Sequence, residues 1–481
     1  MLLSEFRLKG EEPIYRQIKN EIIRMIEEGF LIEGSKLPST REVSELLKIS
    51  RNSCIHAYEL LEDEEYIQIV KGKGAFVSHK FKKKGPKWLV DWDKKISDFG
   101  NTAVDLDIVK NEAVTAKNMI SFKSIAPDEK LFDLEEIKRN FLNSVSLHGE
   151  KLFNYGYAKG YKPLIDYLII YMENKGVNFK DKDLLITNGF TEAFDIILTA
   201  LASKGDAVIC ENPTHNTAIK LMKLHELNII GVDMEQGVIN TIKLKEKLEN
   251  NEVKLIYLIP SYHNPTGLVM PANKRKEVYE ICKAYNVPII EDGFNEELLY
   301  SSSHISSIVA LAGEDNSVIY AGSFSKILFP GIRVGWIAAD RKLIDVLESV
   351  KRSRNIHNSV LDQAFLYEYL KNGDFEIYLK KARKYYRDKY KFTVKCAEKY
   401  LSCCRVYGDG GLHIFLELPH IDARKLLDET MKNNVIFMPG DIFYVDGIKR
   451  NTFRLGFSRL EYNDIEKGFK IIGECIKKLQ K

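Results

Sequence analysis

Apolar positions near the start of the chain recur at helical spacing, whereas from about residue 113 the pattern changes to short apolar runs alternating with helical stretches. Ile14, Ile18, Ile22 and Met25 share one face of a helix that Gly29 ends. Ser39 follows Pro38 and precedes Glu42 by three residues, which is the form of a capping box at a helix start. Val43, Leu46 and Leu47 then give that short helix an apolar face. Ser50 is placed to cap a third helix whose inner side carries Cys54, Ala57, Tyr58 and Leu61. Next, 67–70 and 75–77 read as strands around Lys71-Gly72-Lys73-Gly74, a glycine-rich tip suited to a hairpin. Short helices with a tight connection followed by a two-stranded wing predict a winged helix-turn-helix.

The stretch 81–112 lacks a sustained period and contains Gly85-Pro86, so it reads as a linker. Trp88 and Trp92 lie four apart there, and a packed-down linker and a free one both stand. Beyond it, apolar runs at 184–186, 207–210, 229–232, 255–259, 287–290, 318–320 and 336–338 read as buried strands. Helical stretches at 191–202, 216–227 and 273–285 separate several of them, which predicts a mainly parallel α/β sheet. From about 345 onward, helices mix with strand-like runs at 412–418, 435–438 and 453–457, suggesting a smaller α+β subdomain. The expected organisation is a head at 1–80, a linker at 81–112 and a body at 113–481.

Composition narrows the classes. A chain of 481 residues, 45% hydrophobic and 29% charged, has room for a sizeable core and a smaller module. Its 71 basic and 68 acidic residues leave a net charge of +3, which excludes an extreme polyelectrolyte but not a local basic surface. Six lysines (Lys71, Lys73, Lys80, Lys82, Lys83, Lys84) occupy 71–84 without an acid. Alone, such a run is a solvated linker; its place on the wing favours DNA contact. Seven cysteines without a CxxC pair point to reduced thiols rather than a zinc site or disulfide framework. The first residues carry no apolar leader and no stretch approaches about 20 apolar residues, so a cytoplasmic protein is expected, with no membrane partner and no metal.

In the head, Arg51, Asn52 and Ser53 begin the third helix, where side chains reach base edges. Ser39, Thr40 and Arg41 begin the preceding one, where amides and a guanidinium suit phosphates, and Lys71 and Lys73 mark the wing. In the body, polar residues collect just past the strands. Asn188-Gly189-Phe190-Thr191 turns a strand into a helix; Asn264 lies in a Pro-Thr-Gly turn; Glu291-Asp292 ends a strand; Ser323 and Lys326 follow another, with Arg333 beyond. A lone Lys326 would be a surface lysine and a lone Asp292 a helix cap. Jointly they are an anion site, a carboxylate, an amide and a lysine, the set needed to hold pyridoxal phosphate.

The stretch from about 13 to 77, with LPSTRE and ISRNS and the wing KGKGAFV, resembles the DNA-binding domain of the GntR family. One departure is Asp63-Glu64-Glu65-Tyr66, where relatives have glycine before the tyrosine; it is expected to stiffen or re-aim the wing without removing it. From about 120, the NPTG, ED and SFSK…GIRVGW motifs resemble class I/II aminotransferases of fold-type I. That resemblance implies Lys326 as the internal-aldimine and catalytic lysine, Asp292 on the ring nitrogen and Asn264 on the phenolic oxygen. It implies Ser323, Arg333 and the amides of Phe190 and Thr191 on the phosphate, with Tyr155 reaching the phosphate of a neighbouring subunit. Arg454 matches an arginine that clamps an amino-acid carboxylate. Two departures stand out: Phe294 occupies a tyrosine position, and His215 takes the slot of a ring-stacking aromatic, where a structural histidine is equally open.

The combination resembles the MocR subfamily of GntR regulators over nearly the whole chain. It implies a homodimeric, pyridoxal-phosphate-dependent transcription regulator that binds double-stranded DNA and senses an amine or amino acid through external aldimine formation at Lys326. Two alternatives remain open: a working aminotransferase with an accessory head, and a regulator that has lost its cofactor.

Overall fold

A computed structural model describes Leu3 and residues 6–78, 89–107, 119–235, 237–293, 295–300 and 305–480. Lys80, Lys82, Lys83, Lys84, Trp88 and Phe294 lie outside the described residues. Two compact units form, Met1–Ile96 and Ser97–Lys481.

In the first unit, helix α1 (Ile14–Glu27) buries Ile18, Ile22 and Ile26. The stripe therefore runs every four residues and ends on Ile26 rather than Met25, while Ile14 stays 37% exposed. Helix α2 (Thr40–Leu47) opens on the expected capping box. Its reciprocal bonds run from Glu42 N to Ser39 Oγ at 3.2 Å and from Ser39 N to the Glu42 carboxylate at 2.6 Å. Lys48, left-handed at φ 54, turns the chain toward helix α3 (Arg51–Asp63). There Ser50 Oγ accepts from Asn52 N at 3.3 Å, and Cys54, Ala57, Tyr58 and Leu61 are buried as the spacing predicts. Tyr58 also donates to Pro38 O at 2.7 Å, which ties α3 to the loop ahead of α2. Strands β1 (Ile67–Val70) and β2 (Gly74–Val77) pair antiparallel, with Ile67 opposite Val77. The wing survives the missing glycine because Glu65 itself takes φ 63, the left-handed conformation that glycine adopts without strain.

The second unit contains β3 (Ile120–Ser121) and a large sheet whose strands are β4 (Lys182–Thr187), β5 (Ala207–Asn212), β6 (Asn228–Glu235), β7 (Val238–Ile239), β8 (Val253–Leu258), β9 (Ile289–Asp292), β10 (Val318–Ser323) and β11 (Gly335–Asp340). Their order is β4-β11-β10-β9-β8-β5-β6-β7. The pairs joining β6, β5, β8, β9 and β10 are parallel, while β11 runs antiparallel between β10 and β4. All seven apolar runs thus become strands of one sheet; β7 is an addition too short for a periodic signal. The helix expected over 216–227 ends at Leu224, because Glu226 turns at φ 54 into β6.

A smaller sheet follows, ordered β12 (Arg405–Tyr407), β13 (His413–Glu417), β16 (Thr452–Gly456), β15 (Met438–Pro439). The single run at 435–438 divides: β14 (Val435–Ile436) pairs parallel with β3, and β15 pairs with β16. Within the stretch read as linker, helix Asp98–Asp105 is capped by Ser97, whose Oγ accepts from Gly100 N at 3.2 Å. That helix packs on helix Asn216–Leu224. All seven cysteines are free thiols, and Cys403 is the exposed one. No helix among the described residues is long and apolar enough to cross a membrane. The carboxyl ends of β4, β5, β8, β9 and β10 all open on one edge of the large sheet, and the polar loops meet there.

Candidate functional site

A cavity of about 160 Å³ at that edge is lined by Phe190, Thr191, His215, Thr217, Asp292, Gly293, Asn295, Ser323, Ser325, Lys326 and Arg333. One end is built for an anion. Gly189, at φ 77, turns β4 into helix Phe190–Leu201, whose leading amides point out of the helix without intrahelical partners. Arg333 donates from Nη2 to Asn188 O at 2.8 Å and from Nη1 to Ser325 Oγ at 3.1 Å. Ser323 Oγ donates to Ser325 Oγ at 3.1 Å, which links both hydroxyls to the guanidinium. Glycine is required at two places here: a Cβ on Gly189 would lie 2.9 Å from Arg333 Nη2, and one on Gly335 would lie 2.7 Å from Gly189 Cα.

The other end carries a carboxylate. Asp292 closes β9 and accepts at Oδ2 from the Tyr257 hydroxyl at 2.8 Å. Burial pushes the Asp292 carboxyl up to about 7, against the pull of the Tyr257 bond. The neighbouring Glu291 is spent structurally, since it accepts from the amides of Ile308 and Val309 at 2.8 Å each. In the same lining, burial and the cations Arg454, Arg333 and Arg459 push the Lys326 ammonium down to about 8. The same causes, burial first and then Lys326 and Arg454, push His215 down to about 3, so its imidazole is neutral. The His215 ring lies 5.5 Å from that of Phe190.

Arg454, on β16, donates from Nη1 to Asn264 Oδ1 at 2.8 Å and from Nη2 to Lys123 O at 3.2 Å. Its guanidinium sits 5.0 Å from the Phe443 ring, and burial pushes it down to about 9. Arg454 Nε and Asn264 Nδ2 are buried without a partner among the described residues. Tyr155 is absent from the cavity lining and 80% exposed, beside similarly exposed Phe153 and Tyr157.

Seven residues singled out in the sequence therefore meet around one cavity: Phe190, Thr191, His215, Asp292, Ser323, Lys326 and Arg333. Asn264 and Arg454 form a bonded pair outside that lining. Sequence reading missed Ser325, although it lies inside SFSK, and Asn295, three residues past Asp292. Thr217 and Tyr257 were missed as well. Tyr257 had no signal, because a tyrosine in an apolar strand reads as core.

In the head, Arg51 and Asn52 are exposed at the start of α3, with Ser53 half-buried. The Ser39 oxygen is engaged in the cap and Thr40 is half-buried. Arg41 pairs with Glu45 at 3.0 Å, both well exposed, a contact weak enough to yield to a phosphate. Lys71 and Lys73 are exposed at the wing tip.

Residues 118–472 match the family of class I and II aminotransferases, and residues 14–77 match the bacterial regulatory proteins of the gntR family. The chain is 30% identical over 377 residues to aromatic-amino-acid aminotransferase 1 of Thermococcus litoralis, covering 76% of this chain and 90% of that protein. It is 26% identical over 486 residues to the uncharacterized HTH-type transcriptional regulator YdfD of Bacillus subtilis, covering 100% of this chain and 99% of that one. A solved relative is the kynurenine aminotransferase of Pyrococcus horikoshii in complex with PMP, with a TM-score of 0.77 and 29% identity over 82% of this chain and 100% of the other. The family matches fall one in each unit, and the fold read from the sequence, a winged helix-turn-helix ahead of an aminotransferase-like α/β body, is borne out. The chain belongs to the class I and II aminotransferase family and carries, ahead of that domain, a winged helix-turn-helix of the GntR family.

Proposed function

We propose that the chain is a DNA-binding transcription regulator that holds pyridoxal 5′-phosphate in its body and responds there to an amine or amino acid. The observation that carries this reading is the union, in one chain, of an exposed recognition-helix start and a cavity where Lys326 meets Asp292 and Arg333. The residues fit that cofactor. Arg333, two serines and a helix start suit a phosphate dianion, Asp292 suits a ring N–H, and the buried, unpartnered Asn264 Nδ2 suits a phenolic oxygen.

When bound, the cofactor supplies an aldehyde carbon that condenses with amines and a ring that withdraws electrons. Lys326 would hold it covalently, and its lowered ammonium leaves much of the amine neutral near pH 8, the form that attacks a carbonyl. Tyr257 keeps one Asp292 oxygen occupied, so the carboxylate is oriented before the ring arrives. Neutral His215 can lie against the ring face without opposing its positive charge. Arg454 offers a planar fork to an incoming carboxylate, already aimed by Asn264 and Lys123. The exposed Tyr155, in a patch with Phe153 and Tyr157, supports a homodimer in which it serves its partner's site. Two heads per assembly would then read paired half-sites on a duplex in the cytoplasm. Regulation requires the bound amine to favour one DNA-binding state over another.

The test is spectroscopic. Purified protein loaded with pyridoxal phosphate should show a visible band that shifts on titration with an amino compound, and borohydride reduction should leave the cofactor covalently attached to wild type but not to Lys326→Ala. A loaded protein indifferent to every amine in a broad panel would overturn the reading. A working aminotransferase is the second reading, favoured by the near-complete set around Lys326. Sustained turnover with a keto-acid acceptor, absent from Lys326→Ala, would select it.

A further inference from the structure

Asn295 lines the cavity together with Asp292 and Lys326 and is 2% exposed. Both its amide oxygen and its amide nitrogen are buried without a hydrogen-bond partner among the described residues. A wholly unpartnered buried carboxamide is expensive, so its place in a fold is explained by a ligand group that completes it. Its backbone is left-handed at φ 53, a conformation asparagine tolerates better than most residues. Its carbonyl accepts from Leu298 N at 2.9 Å, so the turn is anchored while the side chain is left over.

The polar groups of a pyridoxal phosphate can be matched against those on the cavity wall. Arg333, Ser323, Ser325 and the helix start donate to the phosphate end, whereas the Asp292 carboxylate accepts from the ring N–H. The phenolic oxygen is the remaining ring acceptor. Asn264 is the donor already assigned to it, and its Oδ1 is taken by Arg454, so only the amide nitrogen is available. The resemblance to class I/II aminotransferases implies a tyrosine hydroxyl on that oxygen from the sequence position that holds Phe294 in this chain, and phenylalanine has no side-chain donor.

We propose that Asn295 is a cofactor-positioning residue whose amide N–H donates to the phenolic oxygen of the pyridoxal ring, sharing that oxygen with Asn264 in place of the missing tyrosine hydroxyl. The inference rests on the cofactor reading above. A donor on the phenolic oxygen favours its ionised form, so removing one raises the pH at which the bound chromophore titrates.

The experiment is a titration of full-length protein with pyridoxal phosphate, followed by a pH titration of its visible band, for wild type, Asn295→Ala and Asn295→Asp. The expected result is about five-fold weaker cofactor binding in Asn295→Ala, the size of one lost hydrogen bond, with the pH midpoint raised by roughly half a unit to one unit. Asn295→Asp keeps the shape but replaces the donor with an acceptor, and it should raise the midpoint further. A merely structural role would leave the midpoint unmoved in any variant that still binds cofactor. Unchanged affinity and midpoint in both variants, or an effect confined to amino-acid binding, would overturn the assignment. A wild-type protein with no visible band would instead overturn the cofactor reading.

Discussion

The head and the body present charge in opposite ways. Arg51, Lys71 and Lys73 project into solvent from a helix start and a hairpin tip. In the body, Asp292 is buried and Lys326 half-buried in the cavity wall, and desolvation drives the amine down to about 8 and the carboxyl up to about 7. Exposed cations suit a polyanion read over a broad surface, where each contact is modest and screened by salt. Enclosed groups suit one small ligand, where each contact is costly to leave unmade. Substitutions should therefore act sharply in the body and gradually in the head.

The largest effect is expected from Lys326→Ala, which should abolish covalent cofactor attachment while leaving DNA affinity within about two-fold; a lost DNA affinity would break the separation. Sharpening it by pH, the rate of cofactor attachment to wild-type apoprotein should rise as pH climbs toward about 8 and level off above it, because only the deprotonated amine attacks. A flat profile would contradict the buried-lysine account. Arg454→Ala should weaken carboxylate-bearing amines on the order of 100-fold and leave simple amines nearly unchanged, as measured by the visible band. Arg51→Ala should weaken operator binding by roughly 1–3 kcal/mol with cofactor absorbance intact, as measured by fluorescence anisotropy. Smallest of all, neutralising Lys71 and Lys73 should reduce the slope of log affinity against log salt by about two, at every DNA sequence tried.

The same contrast explains how much was legible in the chain. Head elements depend on neighbours in sequence: the Ser39–Glu42 capping box and the inner face of α3 were readable because both partners of each contact are local. Large-sheet strands were readable as apolar runs, since a strand buried on both faces needs no partner to be recognised. Partner choice was not readable. The run at 435–438 gave no hint that its two halves join different strands, with Ile120 on one side and Arg454 on the other. Site residues carried by motifs, such as Lys326 and Arg333, were legible, but Tyr257 was not, because its bond to Asp292 spans two strands. Glu65 shows the reverse case: the missing glycine was visible in the sequence, whereas the left-handed backbone that absorbs it was not.

Coupling between the two kinds of site is the central claim, and DNA binding measured with and without ligand tests it most directly. Protein loaded with pyridoxal phosphate would be titrated onto its operator alone and with the amino compound that shifts the visible band most, alongside Lys326→Ala. The account predicts at least about a five-fold change in affinity for wild type and none for Lys326→Ala. Equal wild-type affinity in both conditions would contradict it.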